Sequence, residues 1–305
     1  MDRAAAKPLC IRHASLDDQA QALAILFAHL LPGEQDKQIV RALAGAVESP
    51  PKELWVGYRG EQLVGAVWAQ VQPGRTALIL PPRVAEPEPP ETAGELLAHV
   101  TDDLARREVD LVQSLLETDH GPDVKLLEQH GFRRISNLLY LVSLQASFPT
   151  SVPQSPLEFE PFRPEADVRR LAELVERTYV GSLDCPELDD VRKIDDVLEG
   201  YRATGVFHAT RWMFARHFAK DVGCLLLTDH PRNNGWELIY LGVVPEARGQ
   251  GWGVAMTRHA QWLTRQAGRE RLVLAVDAIN EPAIAVYAEC GFVAWDHRSV
   301  FLRAL

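Results

Sequence analysis

The sequence predicts an α/β chain with mixed α+β sheets, arranged as two similar domains. Its 305 residues suffice for two cores, because domains average roughly 150 residues. Two stretches that end in Gly131-Phe132 and Gly291-Phe292 resemble each other, which indicates an internal repeat. The segment 145–156, rich in Ser, Pro and Gln, is typical of a linker. We therefore place the domains at residues 1–145 and 157–305.

The repeat covers several elements at a nearly constant offset. Lys125–Phe132 (KLLEQHGF) corresponds to Ala285–Phe292 (AVYAECGF), 160 positions later. Such self-similarity predicts one supersecondary unit used twice. Further pairs near the same offset are Ala77–Leu80 with Glu237–Tyr240, Leu111-Val112 with Leu272-Val273, and Val64–Ala66 with Val222–Cys224.

Periodicity and turn residues give the order of elements in the second domain. Apolar residues from Met256 to Ala267 recur at helical spacing, and Gly268 ends that helix. Asn280, followed by a proline, begins the last helix, and Gly291 ends it. In chain order the sequence predicts a strand at 157–162, helices at 166–179 and 189–204, strands at 212–216, 222–228 and 236–243, a helix at 251–266, a strand at 271–277, a helix at 282–290 and a strand at 292–302.

Composition narrows the possible functions. The net charge of −10 argues against a nucleic-acid partner, because phosphate binding needs concentrated Lys and Arg. No apolar run approaches the length of a membrane span, and residues 1–8 lack a signal-peptide core, so we expect a cytoplasmic protein without a membrane partner. The scattered cysteines lack metal-site spacing and predict reduced thiols and no metal; they are Cys10, Cys185, Cys224 and Cys290.

A strand, a Gly-rich turn and a helix follow one another at residues 236–266, with the motif RGQGWG at 248–253. Glycines let backbone N–H groups converge on an anion, and the positive end of the helix dipole attracts it. The motif alone also fits a Gly-rich helix entry without a ligand. A P-loop would need Gly-Lys-Ser/Thr, which is absent. A dinucleotide-binding fold would need more of a parallel sheet than the remaining fifty or so residues allow.

Taken together, the ordered motifs of residues 158–305 resemble the GNAT superfamily of N-acetyltransferases. The resemblance is carried by Leu241–Pro245 (LGVVP) running into RGQGWG, then Asn280, Tyr287 and Gly291-Phe292. It implies a mostly antiparallel mixed sheet flanked by helices, and the whole chain resembles tandem, two-domain members of the superfamily. It also implies acetyl-CoA as co-substrate.

The resemblance implies a role for each matching residue. The strand ending at Val243 would splay from its neighbour and offer backbone groups to the pantetheine, with the N–H near Val243 polarising the thioester carbonyl. Tyr287 would protonate the departing thiolate, although a packed helix aromatic is the alternative. Asn280 would bond the cofactor arm or act as a helix N-cap. The implied cofactor-binding residues are Leu241, Val243, Arg248, Gly249, Gln250, Gly251, Trp252, Gly253, Val254 and Asn280.

Glu237 is the candidate general base of the second domain. It lies six residues before Val243, so strand periodicity places both on one face, and some family members carry a carboxylate base here. A solvated Glu at a strand start is the alternative. The same periodicity places Tyr240 and Trp236 on the opposite face, in the core. Tyr287 and Glu237 are thus the catalytic candidates.

The sequence gives weaker evidence about the residues that bind the acceptor amine. The resemblance places the acceptor pocket near the first two helices, where several carboxylates cluster. They could attract an ammonium group, but acidic residues at a helix N-terminus are also favoured by the dipole, and we prefer that explanation. The cluster comprises Asp184, Glu187, Asp189 and Asp190.

The first domain lacks the residues that would bind the cofactor. At the offset of 160, Glu88 stands opposite Arg248, and Leu127 stands opposite Tyr287. A carboxylate where phosphate would sit replaces attraction with repulsion. We expect this domain to keep the fold without binding CoA.

Two functions of different classes follow. The first is an enzyme that moves an acetyl group from acetyl-CoA to a primary amine by direct attack. The second is a non-catalytic module that senses acyl-CoA or binds a protein. Retained Tyr287 and Glu237 favour the enzyme. Tandem relatives include enzymes that acetylate the amine of a cysteinyl sugar thiol, but no motif here selects among small-molecule and peptide amines, and none predicts the oligomeric state.

Overall fold

The chain forms two compact units, each built on a mixed β-sheet. The computed structural model describes residues 7–30, 33, 53–185 and 192–305. The N-terminal unit contains residues 1–134 together with Val300–Leu305, and the C-terminal unit contains Ile135–Ser299. No helix among the described residues is long and apolar enough to cross a bilayer.

The sheet of the N-terminal unit follows chain order from β1 to β5. Neighbouring strands are antiparallel except β4 and β5, which pair in parallel over their first residues. Its helices bury apolar faces against the sheet, so this unit has its own cores. The elements are β1 (Leu9–His13), α1 (Gln19–Leu26), β2 (Leu54–Arg59), β3 (Gln62–Gln72), β4 (Thr76–Val84), α2 (Glu91–Arg106), β5 (Leu111–Leu116) and α3 (Pro122–Gln129).

The C-terminal unit has the strand order β6-β11-β10-β9-β8-β7. Its pairs are antiparallel except β10 with β11. Trp212 and Phe214 on β8 are fully buried in its core. The elements are β6 (Arg133–Leu144), β7 (Glu158–Pro161), α4 (Val168–Tyr179), α5 (Ile194–Ala203), β8 (Trp212–His217), β9 (Lys220–His230), β10 (Gly235–Val243), α6 (Trp252–Gln266), β11 (Arg271–Asp277), α7 (Glu281–Glu289) and β12 (Val293–Ala304).

The internal repeat predicted from the sequence is present element by element. Strands β2 and β3 recur 158 positions later as β8 and β9 with the same lengths, and β6 recurs 160 positions later as β12. The helices α2 and α3 recur as α6 and α7 within one residue of that offset. The predicted mixed α/β sheets with flanking helices are confirmed.

The two units do not divide at the linker, as the sequence analysis assumed. From Ile135 onward, β6 belongs to the C-terminal unit and pairs with β11, Leu138 opposite Asp277 and Leu144 opposite Arg271. Phe301, at the other end of the chain, is fully buried in a core of the N-terminal unit. Residues 135–144 of β6 thus belong to the C-terminal unit, and residues 300–304 of β12 belong to the N-terminal unit. Chain order could not reveal this assignment, because tertiary packing selects the neighbour of each strand.

Candidate functional site

The C-terminal unit contains a cavity where two neighbouring strands separate. Strands β10 and β11 pair only from Gly235 to Glu237, opposite Arg271 to Val273. Beyond these residues the strands part, as the resemblance implied, and a cavity of about 930 Å³ opens between them. Its walls include Leu238–Val243 on one side and Ala275 and Val276 on the other.

A bulge in β10 changes which side chains face the cavity. Glu237 pairs with Thr228, whereas Tyr240 pairs with Leu226, so the register shifts by one residue at Ile239. Thr228 and Leu226 are two residues apart and share a face, so Glu237 and Tyr240 share that face too. The expectation that Glu237 faces with Val243 and that Tyr240 turns into the opposite core is therefore wrong. Uninterrupted period-two counting cannot detect a bulge.

The end of β10 presents a backbone donor to the cavity. The N–H of Val244 donates to the Val222 carbonyl on the neighbouring strand β9, at 3.0 Å. Successive N–H groups of an extended strand point to opposite sides, so the N–H of Val243 points towards the separated side. Val243 and Leu241 both line the cavity. This is the geometry needed to polarise a carbonyl held between the strands.

The Gly-rich turn leads directly into helix α6. Gly249 and Gly251 have φ of +76° and +79°, a left-handed conformation that glycine adopts readily. A Cβ on either residue would meet nothing within 4 Å, so open space lies beside the turn. Gly253 lies against α7, where a Cβ would stand 3.3 Å from Val286. The turn thus exposes the positive end of α6 at the cavity, a favourable place for phosphate.

Arg248 fixes the turn to the neighbouring backbone. Its Nε donates to the Val243 carbonyl at 3.1 Å, its Nη1 to Gly181 at 3.0 Å and its Nη2 to Thr178 at 2.9 Å. The side chain therefore ties the end of α4 to the end of β10. It also places a guanidinium group on the cavity wall.

Two residues of the predicted cofactor set lie away from this cavity wall. Gln250 instead lines a smaller cavity of about 600 Å³, which shares Trp252 with the larger one. Val254 packs against the apolar core. The remaining members of the set line the larger cavity; they are Leu241, Val243, Arg248, Gly249, Gly251, Trp252, Gly253 and Asn280.

Tyr287 lies on α7 with its ring in the cavity wall, only 8% exposed. The ring packs beside Phe292 with centroids 5.6 Å apart. Burial raises the pKa of Tyr287 above its ordinary value, and the nearby charge of Asp184 raises it further. The hydroxyl therefore remains protonated at neutral pH and is available as a proton donor inside the cavity.

Asn280 begins α7, and its Oδ1 accepts a hydrogen bond from the N–H of Ala283 at 3.3 Å. The helix N-cap role is thus present in the structure. Because Asn280 also lines the cavity, its amide nitrogen can still serve a ligand.

Glu237 forms a pair with His230 on β9. The two side chains are 2.8 Å apart between Nε2 and Oε2 and are each about one third exposed. Glu237 is on the same sheet face as Tyr240 but does not line the cavity itself. Any action of its carboxylate on a ligand there would pass through water.

A set of tyrosines in the cavity wall was not predicted from the sequence. Tyr240 stacks on Tyr201 with centroids 5.6 Å apart and meets Tyr179 edge to face at 5.9 Å. The hydroxyl of Thr178 donates to Val175, so the Tyr240 hydroxyl donates to Thr178, at 2.5 Å. The bulge brings Tyr240 to this face, and the helices bring the other two, so no local motif could reveal the group.

Asp184 is the carboxylate of the predicted acidic cluster that the structure places in the cavity wall. Its Oδ1 accepts the backbone N–H of Asp277 at 3.1 Å, and Asp277 in turn accepts the N–H of Cys185 at 3.2 Å. Burial raises the pKa of Asp184, as does the neighbouring charge of Asp277. The other members, Glu187, Asp189 and Asp190, lie outside the described residues.

The corresponding region of the N-terminal unit carries an internal ion pair. Glu88, which matches Arg248 in the repeat, accepts from Nε of Arg59 at 2.9 Å and from the Thr92 hydroxyl at 2.9 Å. Thr92 lies in the first turn of α2, the counterpart of α6. The Glu88 carboxylate thus already has hydrogen-bond partners at the start of this helix.

Among the described residues, no group of three His, Cys, Asp or Glu side chains is placed to hold a metal ion.

Comparison with known proteins agrees with this architecture. Residues 169–292 match the family described as acetyltransferase (GNAT). A mycothiol acetyltransferase of Saccharomonospora viridis is 27% identical over 196 residues, which cover 61% of this chain and 62% of that protein. The matches to such curated relatives span less than two thirds of their length.

Solved structures resemble the whole chain in fold. A GCN5-related N-acetyltransferase from Sphaerobacter thermophilus has a TM-score of 0.64 at 15% identity, over 98% of this chain and 96% of that one. A tandem GNAT protein from the clavulanic acid biosynthesis pathway has a TM-score of 0.51 at 17% identity, over 97% and 98%. At these identities the likeness concerns the fold alone. Residues 169–292 of the C-terminal unit thus match the GNAT family of acetyltransferases, and the solved structures share the fold of the whole chain.

Proposed function

We propose that the C-terminal unit transfers an acetyl group from acetyl-CoA to the nitrogen of a primary amine, by direct attack in a ternary complex. This proposal rests on the cavity between the separated strands β10 and β11, which is lined by the Gly-rich turn and by Tyr287. The turn suits a phosphate group, and the free strand edge suits the amides of an extended chain.

On the donor side, the pantetheine amides would pair with the free edge of β10 as an added strand does. The pyrophosphate would accept from the N–H groups of the turn and the first turn of α6, beside the charge of Arg248. The N–H of Val243 would then hold the oxyanion that forms when the amine attacks the thioester carbonyl.

Collapse of the tetrahedral intermediate breaks the carbon–sulfur bond, and the thiolate needs a proton. Tyr287 is the donor that we assign, since its raised pKa keeps it protonated until the sulfur departs. A proton from solvent restores the phenol. Without this donor the leaving thiolate would be stabilised only by the surrounding backbone.

The attacking nitrogen must lose a proton. Glu237 is the candidate acceptor for it, through an intervening water, and His230 at 2.8 Å holds the carboxylate in place. The pair lies on the same sheet face as the tyrosines of the cavity. Replacing Glu237 by Gln keeps the size and removes the base, so turnover should fall while acetyl-CoA affinity remains.

The function is tested by adding acetyl-CoA and a panel of amines, including cysteinyl sugar amines suggested by the relatives named mycothiol acetyltransferases. Release of CoA with formation of the amide is expected for at least one of them. Tyr287→Phe should lower kcat about 10²-fold or more, the typical contribution of one acid–base group. The matched control Tyr140→Phe alters a tyrosine that does not line the cavity and should leave kcat within about twofold.

Gly251→Glu tests the donor site separately. A side chain at φ +79° is strained, and its carboxylate would stand where phosphate is expected. Acetyl-CoA binding should be lost. Full binding by this variant, or turnover unaffected by Tyr287→Phe, would place the reaction elsewhere in the chain.

A further inference from the structure

We propose that Asp184 and the rings of Tyr179, Tyr201 and Tyr240 bind the protonated amino group of the acceptor, so that the enzyme selects cationic primary amines. The inference rests on the proposed function, because it assigns the second substrate of the same cavity. Each of these residues lines that cavity.

Only one oxygen of the Asp184 carboxylate accepts a hydrogen bond from the described part of the chain. Its Oδ1 accepts from the backbone of Asp277, and no described residue donates to its Oδ2. The residue is exposed where it meets the open cavity, although protein surrounds the rest of the carboxylate closely enough to raise its pKa. A carboxylate in such surroundings gains when a cation binds beside it, and the cation returns its pKa towards the ordinary value.

The tyrosine rings supply the second half of the recognition. Tyr240 lies at the centre of the group, stacked on Tyr201 at 5.6 Å and edge to face with Tyr179 at 5.9 Å. Burial raises the pKa of Tyr201 and of Tyr240 well above the ordinary value, so these rings stay neutral. The faces of neutral aromatic rings are electronegative and attract ammonium groups.

These groups line one cavity and lie near one another. The charge of Asp184 acts on Tyr201, on Tyr240 and on the candidate acid Tyr287, so all three phenols are within electrostatic range of one carboxylate. Tyr287 is 8% exposed and lines the same cavity.

The cavity wall carries charges of both signs. Arg248 and the start of α6 make the turn end positive, which suits the phosphates of the donor. Two other charged residues line the wall: Glu176 is exposed, and Arg192 donates to the Asp196 carbonyl. The charged neighbour that acts on Asp184 is another carboxylate, Asp277. A neutral acceptor would leave the carboxylate of Asp184 without a counter-charge.

A purely structural role for Asp184 is the competing explanation, since its bond to Asp277 ties the loop after α4 to the end of β11. Asp184→Asn separates the two explanations. Asparagine keeps a side-chain oxygen to accept the N–H of Asp277 but lacks the negative charge. Asp195→Asn removes an exposed carboxylate on α5 that does not line the cavity, and serves as the matched control.

The experiment compares two acceptors, a simple alkylamine that is protonated at neutral pH and methoxyamine, which is neutral there. For Asp184→Asn we expect KM for the alkylamine to rise about 10- to 100-fold, the range for losing one charge-assisted contact, while KM for methoxyamine changes less than about twofold. Calorimetry should show unchanged binding of acetyl-CoA. Tyr240→Leu should raise KM for the alkylamine, and Tyr240→Phe, which keeps the ring, should leave it nearly unchanged.

Equal losses for both acceptors would overturn the proposal, as would an unchanged KM for the alkylamine. If the wild-type protein acetylates no amine, the proposed function fails. Calorimetric titration of the alkylammonium ion into the CoA-bound protein then still tests the site: binding that is absent, or equal in wild type and Asp184→Asn, contradicts the inference.

Discussion

In the N-terminal unit, the Nε of Arg59 donates to the carboxylate of Glu88 at 2.9 Å, and both side chains are less than one fifth exposed. Glu88 also accepts from Thr92 in the first turn of α2. In the repeat this is the place of Arg248 and the start of α6. The N-terminal unit thus supplies its own anion at the helix start, where the C-terminal unit leaves space for one.

Replacing Glu88 by Ala should destabilise the protein without creating a second donor site. The change leaves Arg59 without its half-buried partner, so the free energy of unfolding should fall by about 1–3 kcal/mol. Urea denaturation measures the change, with Glu95→Ala, an exposed carboxylate of the same helix, as control. Calorimetry should give one acetyl-CoA per chain before and after. A second binding event in the variant would show that only Glu88 blocks the N-terminal unit.

Most of the fold could be predicted from the sequence because local patterns determine it. The Gly-rich turn predicted the start of α6, and Asn280 with Pro282 predicted the start of α7, each within one residue of the observed start. The division of β6 and β12 between the units could not be predicted, because only tertiary packing selects the partner of each strand.

Local sequence patterns also predicted part of the candidate site, whereas the features that depend on tertiary packing could not be predicted. The Gly-rich turn, Asn280 and Tyr287 form a sequence-ordered set, and the structure brings nearly all of them to one cavity. The face of Tyr240 depends on one extra residue at the bulge, which leaves no periodic trace. Asp184 belonged to an acidic cluster with an adequate helix-dipole explanation, and only the cavity distinguishes it from an ordinary surface carboxylate.

Arg248→Lys should weaken acetyl-CoA binding although it keeps the positive charge, because the backbone around the Gly-rich turn loses its anchor. The guanidinium bonds three carbonyls at once, those of Thr178, Gly181 and Val243, whereas a single ammonium group cannot span them. We expect affinity for acetyl-CoA to fall about 10-fold and stability by about 1 kcal/mol. Arg177→Lys, on an exposed ion pair with Glu246, is the control and should change little. An unchanged dissociation constant for Arg248→Lys would refute the anchoring role.

The cavity tyrosines should make stability fall at high pH. Burial raises the folded-state pKa of Tyr287 above the ordinary value near 10, so above that pH the unfolded chain loses the proton while the folded chain keeps it. The stabilisation is complete below about pH 10 and is lost as the pH rises further. Urea denaturation at pH 8 and pH 10.5 should show a smaller loss for Tyr287→Phe than for the wild type. Identical losses would mean that the phenol ionises freely in the folded protein.

His259 should make stability fall at acid pH. Its ring stacks on Phe159 with centroids 3.7 Å apart, and burial lowers the pKa of His259 to about 4 from the ordinary 6.5. Between these two pKa values the imidazole is protonated in the unfolded chain but neutral in the folded chain. The free energy of unfolding should therefore be highest above about pH 6.5 and fall by on the order of 2 kcal/mol towards pH 4. His259→Phe keeps an aromatic ring for the stack and should flatten this decline. His208→Gln, an exposed histidine, should reproduce the wild-type curve, and parallel curves for all three proteins would assign the acid sensitivity to other groups.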